Sequence, residues 1–158
     1  MHIEIERKFL VRDDSYKLRS VKAFRIRQGY IAHDGGRSVR VRIRDGQGFL
    51  TIKGPTLGLA SRAEWEKEIP LRDAEDLFLL CKPGQVDKTR WIVPAEDSSR
   101  FFEVDEFLGE NEGLVLAEIE LGSEDESFVK PAWLGEEVTG DRRYFNAYLS
   151  RCPYKTWK

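Results

Sequence analysis

The sequence has 158 residues and a mass of 18.3 kDa, which is the size of one ordinary domain, predicted here to span 1–158. It is 41% hydrophobic and 34% charged, and this apolar share is too high for a disordered chain. Its 26 basic and 28 acidic residues leave a net charge of −2, whereas a general nucleic-acid binder normally has a basic excess. No apolar run approaches the roughly 20 residues that cross a bilayer. We therefore expect a folded domain that binds neither membranes nor nucleic acid.

The two cysteines, Cys81 and Cys152, stand far apart and form no CxxC motif. A disulfide framework is therefore not expected, and the N-terminus carries no secretory signal pattern. These features predict a protein of the reducing cytoplasm.

Alternation of apolar and polar residues with a period of two predicts eight β-strands. Turns such as Asp34-Gly35-Gly36 and Asp45-Gly46 separate consecutive strands. The predicted strands are Ile3–Val11, Phe24–Ile31, Ser38–Arg44, Phe49–Lys53, Arg62–Leu71, Val86–Val93, Phe101–Phe107 and Leu114–Leu121.

Helical segments are predicted to be few and short. One is expected over Asp73–Cys81, and a second from Ser123 to a point before Pro131, each with acidic residues in its first turn. The stretch Arg142–Arg151 is predicted to be helical or irregular. The fold class is therefore α+β and mainly β, with an antiparallel sheet that closes into a barrel. Either the apolar or the charged faces could point into such a barrel.

Charges of one sign are grouped along single strand faces. Residues two apart on a strand lie about 6.6–6.8 Å apart on the same face. Acidic pairs of this kind are Glu4 with Glu6, Glu64 with Glu66, Glu103 with Asp105 and Glu118 with Glu120; basic pairs are Arg40 with Arg42 and Lys88 with Arg90. Any one of these faces alone is typical of a solvated sheet. Their repetition over so many strands favours a charged site instead, since like charges on one face repel.

Basic rows suit a ligand with several negative charges, such as a phosphate chain. Acidic rows in the same cavity would repel that ligand unless a cation lies between them, and carboxylate oxygens favour Mg²⁺ or Mn²⁺. Together they indicate phosphoryl-transfer chemistry.

The motif Glu4-Ile5-Glu6-Arg7-Lys8, followed by Phe9-Leu10-Val11, resembles the start of the CYTH superfamily, also called the triphosphate tunnel metalloenzymes. The resemblance is strongest to its short bacterial members and continues in order along nearly the whole chain. It includes Arg27-Gln28-Gly29-Tyr30, Arg40-Val41-Arg42, Thr51-Ile52-Lys53-Gly54, Arg62-Ala63-Glu64-Trp65-Glu66, Lys88-Thr89-Arg90, Phe102-Glu103-Val104-Asp105, Ala117-Glu118-Ile119-Glu120 and the segment 138–146.

This resemblance implies an eight-stranded antiparallel barrel whose lumen is a charged tunnel with a few outer helices. It implies a metal site of Glu4, Glu6, Glu118 and Glu120, with Mg²⁺ or Mn²⁺ as cofactor. Tunnel-lining acids would be Glu64, Glu66, Glu103 and Asp105. The triphosphate would face Lys8, Arg40, Arg42, Lys53, Lys88, Arg90, Arg142 and Arg143. Lys8 and Tyr30 are similar to a dyad that takes part in proton chemistry.

Members of the superfamily act on different triphosphates, including inorganic tripolyphosphate, thiamine triphosphate, RNA ends and ATP. The small size favours a metal-dependent hydrolase that converts tripolyphosphate into diphosphate and phosphate. Adenylyl cyclase and thiamine triphosphatase activities remain alternatives, as does a non-catalytic module that binds polyphosphate or nucleotides. We expect Tyr154 and Trp157 to cap the fold or to contact a second copy in a homodimer.

Overall fold

The computed structural model describes residues 1–96 and 98–157. About half of this part of the chain is β-strand, and the helices are short. The strands are β1 (His2–Val11), β2 (Lys22–Asp34), β3 (Arg37–Arg44), β4 (Gln47–Leu57), β5 (Ser61–Ile69), β6 (Val86–Pro94), β7 (Phe101–Phe107), β8 (Val115–Glu120) and β9 (Leu134–Glu137). The helices are α1 (Tyr16–Arg19), α2 (Leu71–Phe78) and α3 (Asn146–Leu149), and single 3₁₀ turns occupy Gly109–Asn111, Arg142–Tyr144 and Tyr154–Thr156.

Eight antiparallel strands close into a barrel in the order β1-β5-β4-β3-β2-β6-β7-β8, because β8 pairs with β1 again. The closure depends on β1, whose residues His2–Ile5 pair with β5 while Glu6–Leu10 pair with β8. The short strand β9 then pairs with Phe9 and Val11, so it extends the sheet beside the far end of β1. The predicted closed barrel is confirmed, with one strand more than expected.

Apolar side chains lie mostly outside the barrel wall, under the helices and loops. One outer core joins Phe9, Phe102 and Trp133 beneath α1, and Tyr16 packs its ring edge against Trp91 and Trp133. A second outer core places α2 on the sheet through Ala74, Phe78 and Val41. The charged strand faces therefore point into the lumen, which is the second of the two arrangements left open by the sequence.

One end of the lumen is filled by an apolar cluster. Its fully buried members include Val86, Phe107 and Leu116 from the strands and Leu149 from α3. Trp157 packs edge-on against Tyr144, Tyr148 and Tyr154 of its own chain, as expected of residues that cap the fold. This plug limits the charged part of the lumen to the remaining length of the barrel.

The prediction of a helix from Ser123 to a point before Pro131 is wrong, because this segment consists of turns and irregular chain. Its acidic side chains do not cap a first helical turn but accept hydrogen bonds from other groups. Glu124 accepts hydrogen bonds from the Ala60 amide and the Ser61 hydroxyl, and Glu126 accepts from the Gly122 amide and from Arg100. They tie the loop to neighbouring elements instead.

The helix predicted over Asp73–Cys81 lies over Leu71–Phe78; it begins two residues earlier, after Pro70 at the N-cap, and ends three residues earlier. Within the described residues, no helix has both the length and the apolar character needed to span a membrane.

Candidate active site

A polar cavity of about 580 Å³ runs along the barrel lumen. Its walls come from strands distributed around the barrel and from the segment 139–147. Most of the side chains that the sequence predicts for the site line it, namely Glu4, Glu6, Lys8, Tyr30, Arg40, Arg42, Lys53, Glu64, Glu66, Lys88, Arg90, Glu103, Glu118 and Glu120. The period of two brings them there, because alternate residues of every strand share the inner face.

Asp105, the one predicted tunnel-lining acid that is not among the described residues lining the cavity, is buried beside two of the lining cations. It is 1% exposed and accepts two hydrogen bonds from Arg90, at 2.7 and 2.8 Å, while Lys88 Nζ lies 2.8 Å from Oδ2, one of the two oxygens that Arg90 contacts. Burial would raise the pKa of Asp105, but Arg90 and Lys88 outweigh it and lower that pKa. Burial also lowers the pKa of Lys88 to about 8, which its attraction to Asp105 offsets only in part.

Arg40 and Arg42 form a second basic group on β3. Both guanidinium groups approach the same oxygen of Glu66, at 3.5 and 3.3 Å, and Thr51 donates to that oxygen at 2.6 Å. Burial and the neighbouring Arg40 lower the pKa of Arg42 to about 9. The Nε atoms of both arginines are buried and lack a hydrogen-bond partner among the described residues. One carboxylate thus serves two arginines, and both arginine side chains line the cavity.

Lys53 on β4 lies between Glu64 of the adjacent strand β5 and Glu4 of β1, the strand beyond it. Its Nζ donates to Glu4 at 2.7 Å and lies 3.5 Å from Glu64. Although burial would lower the pKa of Lys53, the charges of Glu6 and Glu4 raise it above its ordinary value. Lys53 therefore carries a charge in the lumen, and Glu4 is engaged by it.

Three acids on three adjacent strands converge at one point of the wall. Carboxylate oxygens of Glu6 on β1, Glu118 on β8 and Glu103 on β7 lie within 4.8 Å of one another. Burial, followed by the charges of Glu118 and Glu4, raises the pKa of Glu6 well above its ordinary value. Burial would also raise the pKa of Glu118, but the charge of Lys8 and a hydrogen bond from Glu6 hold that pKa well below its usual range. The two carboxyl groups are thus shifted in opposite directions, Glu6 toward the neutral form and Glu118 toward the charged form.

These three acids fit a hard divalent cation. They supply only oxygen donors, they approach closely from separate strands, and their mutual repulsion and burial raise the pKa of Glu6. Glu4 and Glu120, which the sequence also predicts as ligands, lie outside this trio. Glu4 pairs with Lys53, and the half-exposed Glu120 lies 3.7 Å from His2.

Lys8 occupies the boundary between the charged lumen and the apolar plug. Its Nζ donates to the Tyr144 carbonyl at 2.9 Å, lies 3.6 Å from Glu118 and stands 5.2 Å from the centre of the Phe145 ring. Tyr30 reaches the same cavity from β2, where its hydroxyl accepts a hydrogen bond from Gln28 at 3.2 Å. Both members of the predicted dyad therefore face the cavity.

Arg142 and Arg143 do not join this group. Both are exposed and lie outside the set of described residues that line the cavity. Arg143 is held by Asp141, two residues earlier, at 2.7 Å. The 3₁₀ turn over Arg142–Tyr144 directs the chain so that the Tyr144 carbonyl and Asn146, instead of the arginines, reach the lumen lysines.

Several lining residues were not assigned to the site from the sequence. Arg44 and Arg62 continue the inner faces of β3 and β5, so the same alternation could have identified them. Asn146 accepts a hydrogen bond from Lys88 Nζ at 3.0 Å across a separation of 58 residues. Local sequence patterns carry no signal for a contact of that range.

Comparison with known proteins agrees with this architecture. The sequence profile of the CYTH domain matches residues 2–145. An inorganic triphosphatase of Acetivibrio thermocellus is 49% identical over 98% of this chain and 97% of its own length, and one of Nitrosomonas europaea is 39% identical over 93% and 96%. The crystal structure of the inorganic triphosphatase NE1496 superposes with a TM-score of 0.65 at 36% identity, covering 95% of each chain. This chain therefore belongs to the CYTH domain family.

Proposed function

We propose that this protein is a metal-dependent inorganic triphosphatase, which adds water to tripolyphosphate and releases diphosphate and phosphate. The observation that carries the proposal is a lumen in which buried basic groups and a converging acidic trio face one cavity. Relatives that align over nearly the whole chain, at 49% and 39% identity, are named inorganic triphosphatases.

The substrate is bound by the basic groups of the wall. Arg40 and Arg42 line the cavity and share the single carboxylate of Glu66, and Lys53, Lys88 and Arg90 add positive charge around the cavity. Planar guanidinium groups match the oxygen pairs of a phosphate chain, and each contact is stronger in a buried site than in water. Since these cations pair with wall acids, they are already oriented before substrate enters.

Glu6, Glu103 and Glu118 are proposed to hold the divalent cation, Mg²⁺ or Mn²⁺. When bound there, the cation would offset the charge of the phosphate oxygens and polarise the reacting phosphoryl group. Glu118 is kept ionised by Lys8, so it is ready to act as a ligand. Glu4, Glu64, Glu66 and Glu120 are proposed to line the passage and to balance the charge of neighbouring basic groups.

Lys8 and Tyr30 are proposed to handle protons during the reaction. In the free protein, Lys8 is held by the Tyr144 carbonyl and Glu118, and its third N–H remains for a phosphate oxygen. The Tyr30 side chain lines the cavity, and its hydroxyl can donate a proton to a phosphate oxygen of the substrate. The bond that breaks is a P–O bond of the phosphoanhydride, and the new P–O bond comes from water.

The test is phosphate release from tripolyphosphate by the purified protein, with Mg²⁺ or Mn²⁺ and with chelator. We expect metal-dependent release that falls at least 100-fold in Glu118→Gln. Equal release from the variant would refute the assigned metal site. Thiamine triphosphate and ATP belong in the same panel. Cyclic AMP from ATP would favour a cyclase, and tight binding without turnover would favour a binding module.

The two free thiols, one of them exposed, support a reducing compartment, and we propose the cytoplasm. Cell fractionation, followed by detection with an antibody against the native chain, would test this location; recovery outside the cytoplasmic fraction would contradict it.

A further inference from the structure

We infer that Gln28 is a positioning residue that aims the hydroxyl of Tyr30 at the reacting phosphoryl group; the inference rests on the proposed function. Gln28 lies on the inner face of β2, two residues before Tyr30, and its side chain is fully buried. Its Nε2 donates to the Tyr30 hydroxyl at 3.2 Å. The ion pairs of the lumen wall, as far as the described residues show them, do not involve this amide.

The environment of Gln28 argues against a purely structural role. Its neighbours on the lumen face are Ile26, two residues earlier, Val86 across the pair with β6 and Arg42 across the pair with β3, all of them buried. The Gln28 Oε1 atom is buried and has no hydrogen-bond partner among the described residues. A buried amide oxygen left unpaired destabilises the fold, and an apolar side chain of similar shape would avoid that cost. Among the described residues, the one side-chain hydrogen bond of this amide is that to Tyr30, and it accounts for an amide at this place.

The direction of this contact fixes where the phenol proton can go. Because the amide donates to the hydroxyl oxygen, the O–H bond of Tyr30 has to point away from Gln28. Tyr30 lines the cavity, so its proton is directed to the side where the substrate binds. The hydrogen bond from Gln28 thus excludes the alternative orientation, in which the O–H bond of Tyr30 would point toward Gln28 and away from the cavity.

The experiment is a double-mutant cycle with Gln28→Met, which keeps the length of the side chain but removes its hydrogen bond. In the wild-type background we expect kcat to fall about tenfold while KM changes less than twofold. In a Tyr30→Phe background the same change should lower kcat less than twofold, since no hydroxyl remains to be aimed. The melting temperature of Gln28→Met should equal or exceed that of the wild type.

Ile26→Val is the matched control, because it alters the adjacent buried position on the same face and leaves the amide in place; its kcat should stay within twofold. An equal fall in kcat for Gln28→Met in both backgrounds would show a packing effect and overturn the inference. Full activity of Gln28→Met would overturn it as well. Absence of turnover in the wild type would instead refute the proposed function, so the two failures are distinguishable.

Discussion

Glu118 of β8 lies directly opposite Glu103 of β7 in the sheet register, and Glu6 of β1 joins them, so that carboxylate oxygens of the three lie within 4.8 Å of one another. Burial and the charges of neighbouring acids raise the pKa of Glu6 well above its ordinary value, because buried carboxylates repel each other. A cation would relieve that repulsion, which is the reason for placing the metal on this side of the lumen.

Substitution of Glu103 should therefore weaken metal binding more than substitution of Glu120. Glu103→Gln removes a member of the trio and is expected to lower the affinity for Mn²⁺ at least tenfold, about 1.4 kcal/mol. Glu120→Gln changes an acid that lies near His2, outside the trio, and should change the affinity less than threefold. Calorimetric titration of the substrate-free protein with Mn²⁺ measures both. The reverse order of effects would place the cation at the end of the lumen near Glu120.

Removal of Arg40 should weaken binding of tripolyphosphate. Its side chain lines the cavity, so Arg40→Ala removes a positive charge that the substrate is expected to contact. The predicted rise in KM is more than tenfold, or over about 1.4 kcal/mol. Arg25→Ala is the control, since Arg25 lies on the outer face of β2 and pairs with Asp87 in solvent. Steady-state kinetics that show the same KM for both variants would contradict an inward-facing basic row.

The alternation of residues predicted the strands, the closed barrel and the assignment of most site residues to one face. That success has a simple physical cause, because a strand places every second side chain on the same side whatever its neighbours are. Residues 40 and 42 therefore had to share one face of their strand, and so did residues 88 and 90. The resemblance to a known family then supplied the orientation of that face toward the lumen.

The identity of the partners inside the lumen could not be predicted in the same way. Which acids meet depends on the register between strands, and this register sets Glu103 opposite Glu118 and Glu4 beside Lys53. The segment after Ser123 shows a related difficulty. Its acids matched a helix start, yet Glu124 and Glu126 serve amides and an arginine on other segments, and such tertiary contacts outweigh a local preference.

Gly84 should be intolerant of any side chain. It has a φ of +96°, and a Cβ placed there would lie 1.7 Å from the carbonyl oxygen of Ser150, just after α3. Gly84→Ala is expected to lower the free energy of unfolding by about 2–4 kcal/mol through backbone strain and overpacking. Gly46→Ala provides the comparison, because Gly46 has a φ of +76° but nothing within 4 Å of the added atom. It should cost about 1–2 kcal/mol, the strain alone. Urea denaturation that gives equal losses would show that the contact with Ser150 is not rigid.

The ion pair between Arg7 and Glu137 should make stability depend on pH in the acid range. Arg7 donates to both oxygens of Glu137, at 2.8 and 2.6 Å, and joins β1 to β9 outside the lumen. The hydrogen bond from Arg7 lowers the pKa of Glu137 below its ordinary value of 4.5, despite partial burial. A carboxyl whose pKa is lower in the folded chain stabilises the fold above its unfolded pKa, and this contribution is lost as the pH falls through the folded pKa.

Comparison of the wild type with Glu137→Gln by urea denaturation between pH 3 and pH 7 tests this linkage. The difference in unfolding free energy is expected to be constant above about pH 5.5 and to shrink steadily below pH 4.5, where the wild-type carboxyl takes up its proton. Glu136→Gln, an exposed neighbour on the same strand, should leave the pH dependence of the wild type intact. A difference that stays constant down to pH 3 would mean that Arg7 holds Glu137 by packing of its side chain and not by its charge, since packing does not change when the carboxyl is protonated.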